Sequence, residues 1–129
     1  MGNPLHVVAG VAAVVTGGLA IFQVLLAIGL PVGRAAFGGV HRILPLGLRA
    51  ASGVAAVVFL VALYVVLARG GLIGTAHHSA LVRDGIWILV VVFGLSAVAN
   101  ALSKSQWERF LMAPVGIVLT ACCLTLAVS

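Results

Sequence analysis

Between Arg49 and Arg69 the chain reads AASGVAAVVFLVALYVVLA (residues 50–68), with no charged side chain and with only Ser52 and Tyr64 carrying a side-chain polar atom. A stretch of this length matches the roughly 17–25 residues a helix needs to cross the hydrocarbon of a bilayer. Strands of the same residues would leave unpaired N–H and C=O groups facing lipid, whereas a helix satisfies them internally. The segment therefore predicts a membrane-spanning helix. The pattern recurs three times, over about Leu5–Leu30, Ile86–Leu102 and Phe110–Val128, the last helix starting near Gln106. Together the runs predict a single all-α integral membrane domain over residues 1–129, a four-transmembrane-helix antiparallel bundle with spans near 5–30, 50–68, 86–102 and 106–128.

Composition agrees. The chain is 64% hydrophobic and 7% charged, with a mean hydropathy of +1.34, whereas about a quarter of a soluble domain is charged. Its pI near 10.8 comes from seven Lys and Arg against two acids, scattered through short connections. Nucleic-acid binding needs such cations gathered on one face and is not expected. Met1 to Pro4 carries no basic side chain ahead of the first run, so that run reads as a retained span rather than a cleaved signal.

The cations set an orientation. The first connection holds Arg34, Arg42 and Arg49 and the third holds Lys104 and Arg109, against Arg69 and Arg83 beside Asp84 in the second. The positive-inside rule then places the first and third connections in the cytoplasm and both termini outside. Tyr64 and Trp87 fall near the outer boundary, and Phe37 and Trp107 near the inner one.

Ser105-Gln106-Trp107-Glu108 has the spacing of a capping box, in which the serine hydroxyl accepts an early helix N–H and the glutamate reaches back to the serine N–H. Inside the spans the polar inventory is short: Gln23 with Thr16 on the first, and Ser96 and Asn100 on one face of the third. No ionisable acid or base lies at membrane depth in the apolar runs, which argues against a proton-coupled carrier. The amides suit interhelical hydrogen bonding, and they suit the lining of a neutral-solute path. Pro114 lacks an N–H and should free the Phe110 carbonyl, which makes that oxygen a candidate partner for Asn100.

Small residues at spacing four (Ala9, Ala13 and Gly17; Ser52 and Ala56; Ala97 and Ala101; Gly116 and Thr120) allow close helix approach, either within the bundle or in a homo-oligomer. His6, His77 and His78 are the residues that an outer metal or redox site would use, with Asp84 nearby in sequence. The adjacent pair presents both rings to one ion only with difficulty, so no metal and no cofactor are expected. Cys122 and Cys123 are neighbours that point about 100° apart on a helix, which reads as packing rather than redox chemistry. No nucleophile–base constellation or paired carboxylates can be assembled, since Asp84 and Glu108 are assigned to opposite faces; an enzyme is not expected.

The first connection, GLPVGRAAFGGVHRILPLGLRAAS (residues 29–52), is broken by Pro31, Gly33, Gly38, Gly39 and Pro45. It reads as a segment in the inner interface, with Phe37, Ile43 and Leu44 toward lipid and Arg34 and Arg42 toward head groups, before the second helix begins near Leu46.

Phe37-Gly38-Gly39, His41-Arg42, Leu44-Pro45, Leu48-Arg49 and Ser52, with Asn100, Ser103-Lys104-Ser105, Glu108-Arg109, Met112 and Pro114, resemble a group of uncharacterised small four-span bacterial integral membrane proteins. The resemblance covers the whole chain and implies no activity. It implies a bacterial cytoplasmic (inner) membrane protein whose two inner connections belong to one pattern. Three functions compete on these grounds. The first is a non-enzymatic accessory component that docks another membrane protein or anionic lipid at its inner face through Arg34, His41, Arg42, Arg49, Lys104, Glu108 and Arg109. The second is a small-solute or ion transporter or channel lined by Gln23, Ser96 and Asn100. The third is an outer metal or redox module using His6, His77 and His78.

Overall fold

The computed structural model describes residues 4–33, 39–74 and 79–129. Its elements are α1 (Pro4–Ala27), α2 (Leu46–Arg69), α3 (Ala80–Ala101), a π-helical turn (Glu108–Met112) and α4 (Ala113–Val128), which continues that turn. No strand occurs among the described residues, and the chain is an all-α bundle of four helices. All four, taking the last as Glu108–Val128, are long and apolar enough to cross a membrane.

The helix limits follow local chemistry. Pro45 precedes α2, where a missing N–H is harmless. Ser79 caps α3, its Oγ accepting from Val82 N–H at 3.2 Å, so α3 starts at Ala80, ahead of the apolar run that begins at Ile86. At the start of the last span Ser105 Oγ accepts from the Glu108 N–H at 3.4 Å, the serine arm of the expected capping box, while the Ser105 N–H donates to Ser103 Oγ at 3.1 Å.

α1 and α2 pair along their lengths, as do α3 and α4; the two hairpins then meet through α1 against α4 and α2 against α3. Backbones approach most closely where side chains vanish. A Cβ added at Gly70 would collide with the Ala9 Cβ, and one at Gly116 would stand 3.1 Å from the Ala97 Cβ. The expected small-residue ladders thus join α1 to α2 through Ala9, and α3 to α4 through Ala97 and Gly116.

The core is built from Ala9, Ala12, Ala62, Val66, Ile86, Leu119, Cys123 and Leu126, all at most 1% exposed. Outward faces remain apolar, with Val14, Val54, Val91 and Phe110 more than half exposed. Water would penalise such a surface at about 25 cal/mol per Å², but hydrocarbon accepts it. The same absence of an amphipathic stripe that would disqualify these helices in water is what makes them spans.

Candidate functional site

The cluster of buried core residues lies mainly in the half of the bundle nearer the termini. Toward the end that carries the first and third connections, called here the basic end, the four helices line a partly open cavity of about 420 Å³. Every helix contributes to it: Phe22 and Gln23 from α1, Phe59 from α2, Phe93, Ser96 and Asn100 from α3, and Glu108, Met112 and Gly116 from the fourth span. Ala55, Ala99 and Gly116 line it with side chains too short to fill it, which is one reason the space persists.

Its walls are mainly apolar. Phe59 and Phe93 stack across the α2–α3 seam with ring centroids 5.9 Å apart and planes 10° apart. Gln23 brings the one discordant atom: its Oε1 is buried without a hydrogen-bond partner. Leaving a buried acceptor unsatisfied costs about 1–3 kcal/mol, so the arrangement is poised to accept a donor from whatever enters. Ser52 Oγ is likewise buried without a partner, but Ser52 is not among the lining residues.

Glu108 is the largest departure from the sequence reading. Expected in a solvated hairpin as part of an inner-face docking set, it is only 6% exposed and lines the cavity. The stripe Glu108, Met112, Gly116, Leu119 repeats at helical spacing and leads into the core, so the signal that buries Glu108 was present in the pattern of its followers. The turn that holds it is π-helical, the Ala113 N–H reaching back to the Glu108 carbonyl. Pro114, which cannot donate and whose ring crowds the Phe110 carbonyl, stands two residues beyond the last residue of that turn. Asn100 makes no hydrogen bond to the Phe110 carbonyl among the described residues; its amide lines the cavity instead.

The other docking candidates separate into two groups. His41, Arg42, Lys104 and Arg109 are exposed at the basic end, the Arg109 guanidinium lying over the Phe110 ring at 4.9 Å from its centroid. Arg49 is half-buried and spent on structure: its Nε donates to the Ala27 carbonyl at 3.0 Å, closing the C-terminus of α1 above Gly29, whose φ of 90° suits a residue without Cβ. Arg34 and Phe37 lie outside the described residues. Leu44, expected toward lipid, is 3% exposed, tucked beside Gly33, whose N–H donates to the Arg42 carbonyl at 2.8 Å.

At the opposite end His6 is exposed, and His77 and His78 lie outside the described residues. No three His, Cys, Asp or Glu side chains converge among the described residues. Cys123 is fully buried in the core, and neither cysteine is in a disulfide. The sequence named all three neutral polar residues of the cavity, assigned Glu108 to the inner-face surface instead, and missed the three phenylalanines, because depth along a span is legible while the facing of four apolar helices is not.

Comparison with family models, with curated proteins and with solved structures finds no match for this chain.

Proposed function

We propose that this chain is a membrane protein that binds a small organic solute in the cavity between its two helical hairpins, and that Gln23, Ser96 and Asn100 orient it. The observation that carries this reading is the unpartnered Gln23 Oε1 at the wall of a 420 Å³ space. Small-molecule sites have volumes of about 300–1,000 Å³, mostly apolar walls and a few convergent polar groups. Interhelical hydrogen bonding, the other use of intramembrane amides, would have left Gln23 satisfied. A cavity of this kind between helices fits a transporter or channel, or a receptor for the solute.

The test uses Gln23→Cys in a background with Cys122 and Cys123 replaced by alanine. A small water-soluble thiol reagent should label it in folded protein, and proteoliposomes should pass a solute whose flux drops for Gln23→Leu. Complete protection of the Gln23→Cys thiol would refute the reading.

A second reading rests on a separate observation. Arg42, Lys104 and Arg109 are all exposed at the basic end, which fits a cytoplasmic face of a bacterial inner membrane, in contact with anionic head groups or a partner protein. Charge reversal at Arg42 and Lys104 together should abolish co-purification of that partner; unchanged association would count against docking.

A further inference from the structure

Resting on the cavity reading above, we infer that the solute comes from the lipid phase: a single-tailed amphiphile with a neutral, hydroxyl-bearing head, which enters sideways between α2 and α3. Nearer the termini these two helices close on each other, where a Cβ added at Gly85 would stand 3.4 Å from Val65 Cγ1, and about two turns further on Phe59 stacks against Phe93. From that stack toward the basic end both helices become walls of the cavity. Among its described lining residues, the exposed ones are Val58 of α2 and Val92, Ser96 and Ala99 of α3. The lining residues from α1 and the fourth span are all buried or half-buried. A residue that is both wall and exposed surface marks a mouth, so the mouth is the α2–α3 seam. It faces hydrocarbon, because the helices that flank it are long and apolar enough to cross the bilayer.

The lining also changes polarity along the bundle, as a membrane leaflet does. Asn100 lies about 10 Å nearer the basic end than Phe93 along α3. On α1, Gln23 lies about 6 Å nearer that end than Leu19 and about 6 Å before the helix stops at Ala27. Gln23, Ser96 and Asn100 thus collect toward the interface, while Leu19, Phe59, Phe93 and Leu119 line the deeper part. An amphiphile in that leaflet already has this order, head at the interface and chain inward, so it enters without turning over. Amide and hydroxyl side chains offer both donors and acceptors, as a hydroxyl head does, and the buried Gln23 Oε1 has no partner within the chain. Glu108 lines the same end but has an interaction of its own within the chain, so recognition is assigned to the neutral side chains. A hydrocarbon without a head would cover the rings and leave the Gln23 acceptor unsatisfied. A wholly polar solute would waste the apolar depth. A volume of about 420 Å³ sits at the low end for small-molecule sites, which suits one short chain rather than two long ones.

Photolabelling decides the matter. The full chain in nanodiscs of zwitterionic lipid receives a monolauroylglycerol that carries a diazirine midway along its acyl chain, and the adducts are mapped by mass spectrometry. Adducts at Phe59, Val92 and Phe93 should saturate and be displaced by excess unmodified monolauroylglycerol. Those at the outward-facing Val14 and Val54 should grow in proportion to the probe and resist displacement. Monoacetylglycerol, the same head carried in water without a long chain, and dodecane, the chain without a head, should both compete poorly. Gln23→Leu should raise the half-saturating mole fraction about two- to tenfold, the worth of one hydrogen bond. Val92→Trp, which narrows the mouth, should reduce the Phe59 and Phe93 adducts and leave those at Val14 unchanged. The competition series uses the natural sequence and stands whether or not either variant folds. Equal competition by monoacetylglycerol overturns the lipid-phase origin, and equal competition by dodecane overturns the head assignment. Unsaturable labelling at Phe59 and Phe93 overturns the amphiphile altogether, and the solute site then survives only if a water-soluble reagent still modifies Gln23→Cys.

Discussion

The Arg69 guanidinium, at the last turn of α2, donates from Nε to the Leu126 carbonyl of α4 at 3.0 Å, and its Nη2 donates to the Ser129 carbonyl at 2.8 Å. α2 and α4 run parallel, so a single cation serves two helix C-termini, where backbone carbonyls lack intrahelical partners and the dipoles favour positive charge. By sequence Arg69 is merely the bracket that ends an apolar run; in the bundle it is 7% exposed. Arg69→Met should lower stability by about 1.5–3 kcal/mol, the worth of hydrogen bonds to a charged group. A thiol-reactive dye that reports exposure of Cys123 during heating in detergent would read the loss, and an unchanged melting temperature would show that these bonds contribute nothing net.

Gly70 and Ala9 define the tightest crossing of α1 with α2. Adding one methyl in Gly70→Ala should destabilise by about 1–3 kcal/mol, as overpacking does. Removing the opposing methyl in Ala9→Gly should recover part of that loss. The double variant therefore ought to melt above Gly70→Ala alone; if it melts lower, the clash is not the cause.

Arg49 and Arg42 are close in sequence but differ in employment. Arg49→Glu removes the bond to the Ala27 carbonyl and sets an anion against a helix C-terminus, a change worth about 1–3 kcal/mol. Arg42→Glu and Lys104→Glu alter exposed side chains and should stay within about 0.5 kcal/mol. Thermal scans of the three variants side by side test this division between structure and surface.

Ser105 supplies the cap for the π-helical turn that presents Glu108. Ser105→Ala should cost about 1 kcal/mol. Amide exchange should rise at Glu108 and Arg109, whose N–H groups go to the Ser105 side chain and carbonyl. Uniform protection across the turn would argue that the serine is dispensable.

Ala55 lines the cavity and leaves part of its wall unfilled. Ala55→Leu should be tolerated in stability, because the new side chain has room, while slowing modification of Gln23→Cys by the water-soluble reagent. Marked destabilisation instead would mean that Ala55 packs against a neighbour rather than an open space.

The residues made some features readable before any coordinate. Charges at Arg49 and Arg69 delimit a span because burying an unpaired charge in hydrocarbon is prohibitive, so the number of helices and the all-α class follow from the one-dimensional pattern. Ser105 with Glu108 announced a helix start, since capping depends on groups three residues apart. Gln23, Ser96 and Asn100 stood out because a polar atom at membrane depth has few uses. Facing is another matter. When a helix is apolar all round, the sequence does not say which side meets lipid and which meets a neighbour, since both environments have the same polarity. Only the packing of α1 against α2 and α3 against α4 decided that Phe22, Phe59 and Phe93 surround one space, that Glu108 turns into it rather than toward solvent, and that Arg69 is spent on the carbonyls of α4. The sequence by itself determined how many times the chain crosses, because that depends on the polarity of consecutive residues. The tertiary structure decided where the polar atoms meet, because that depends on the rotation of each helix about its own axis.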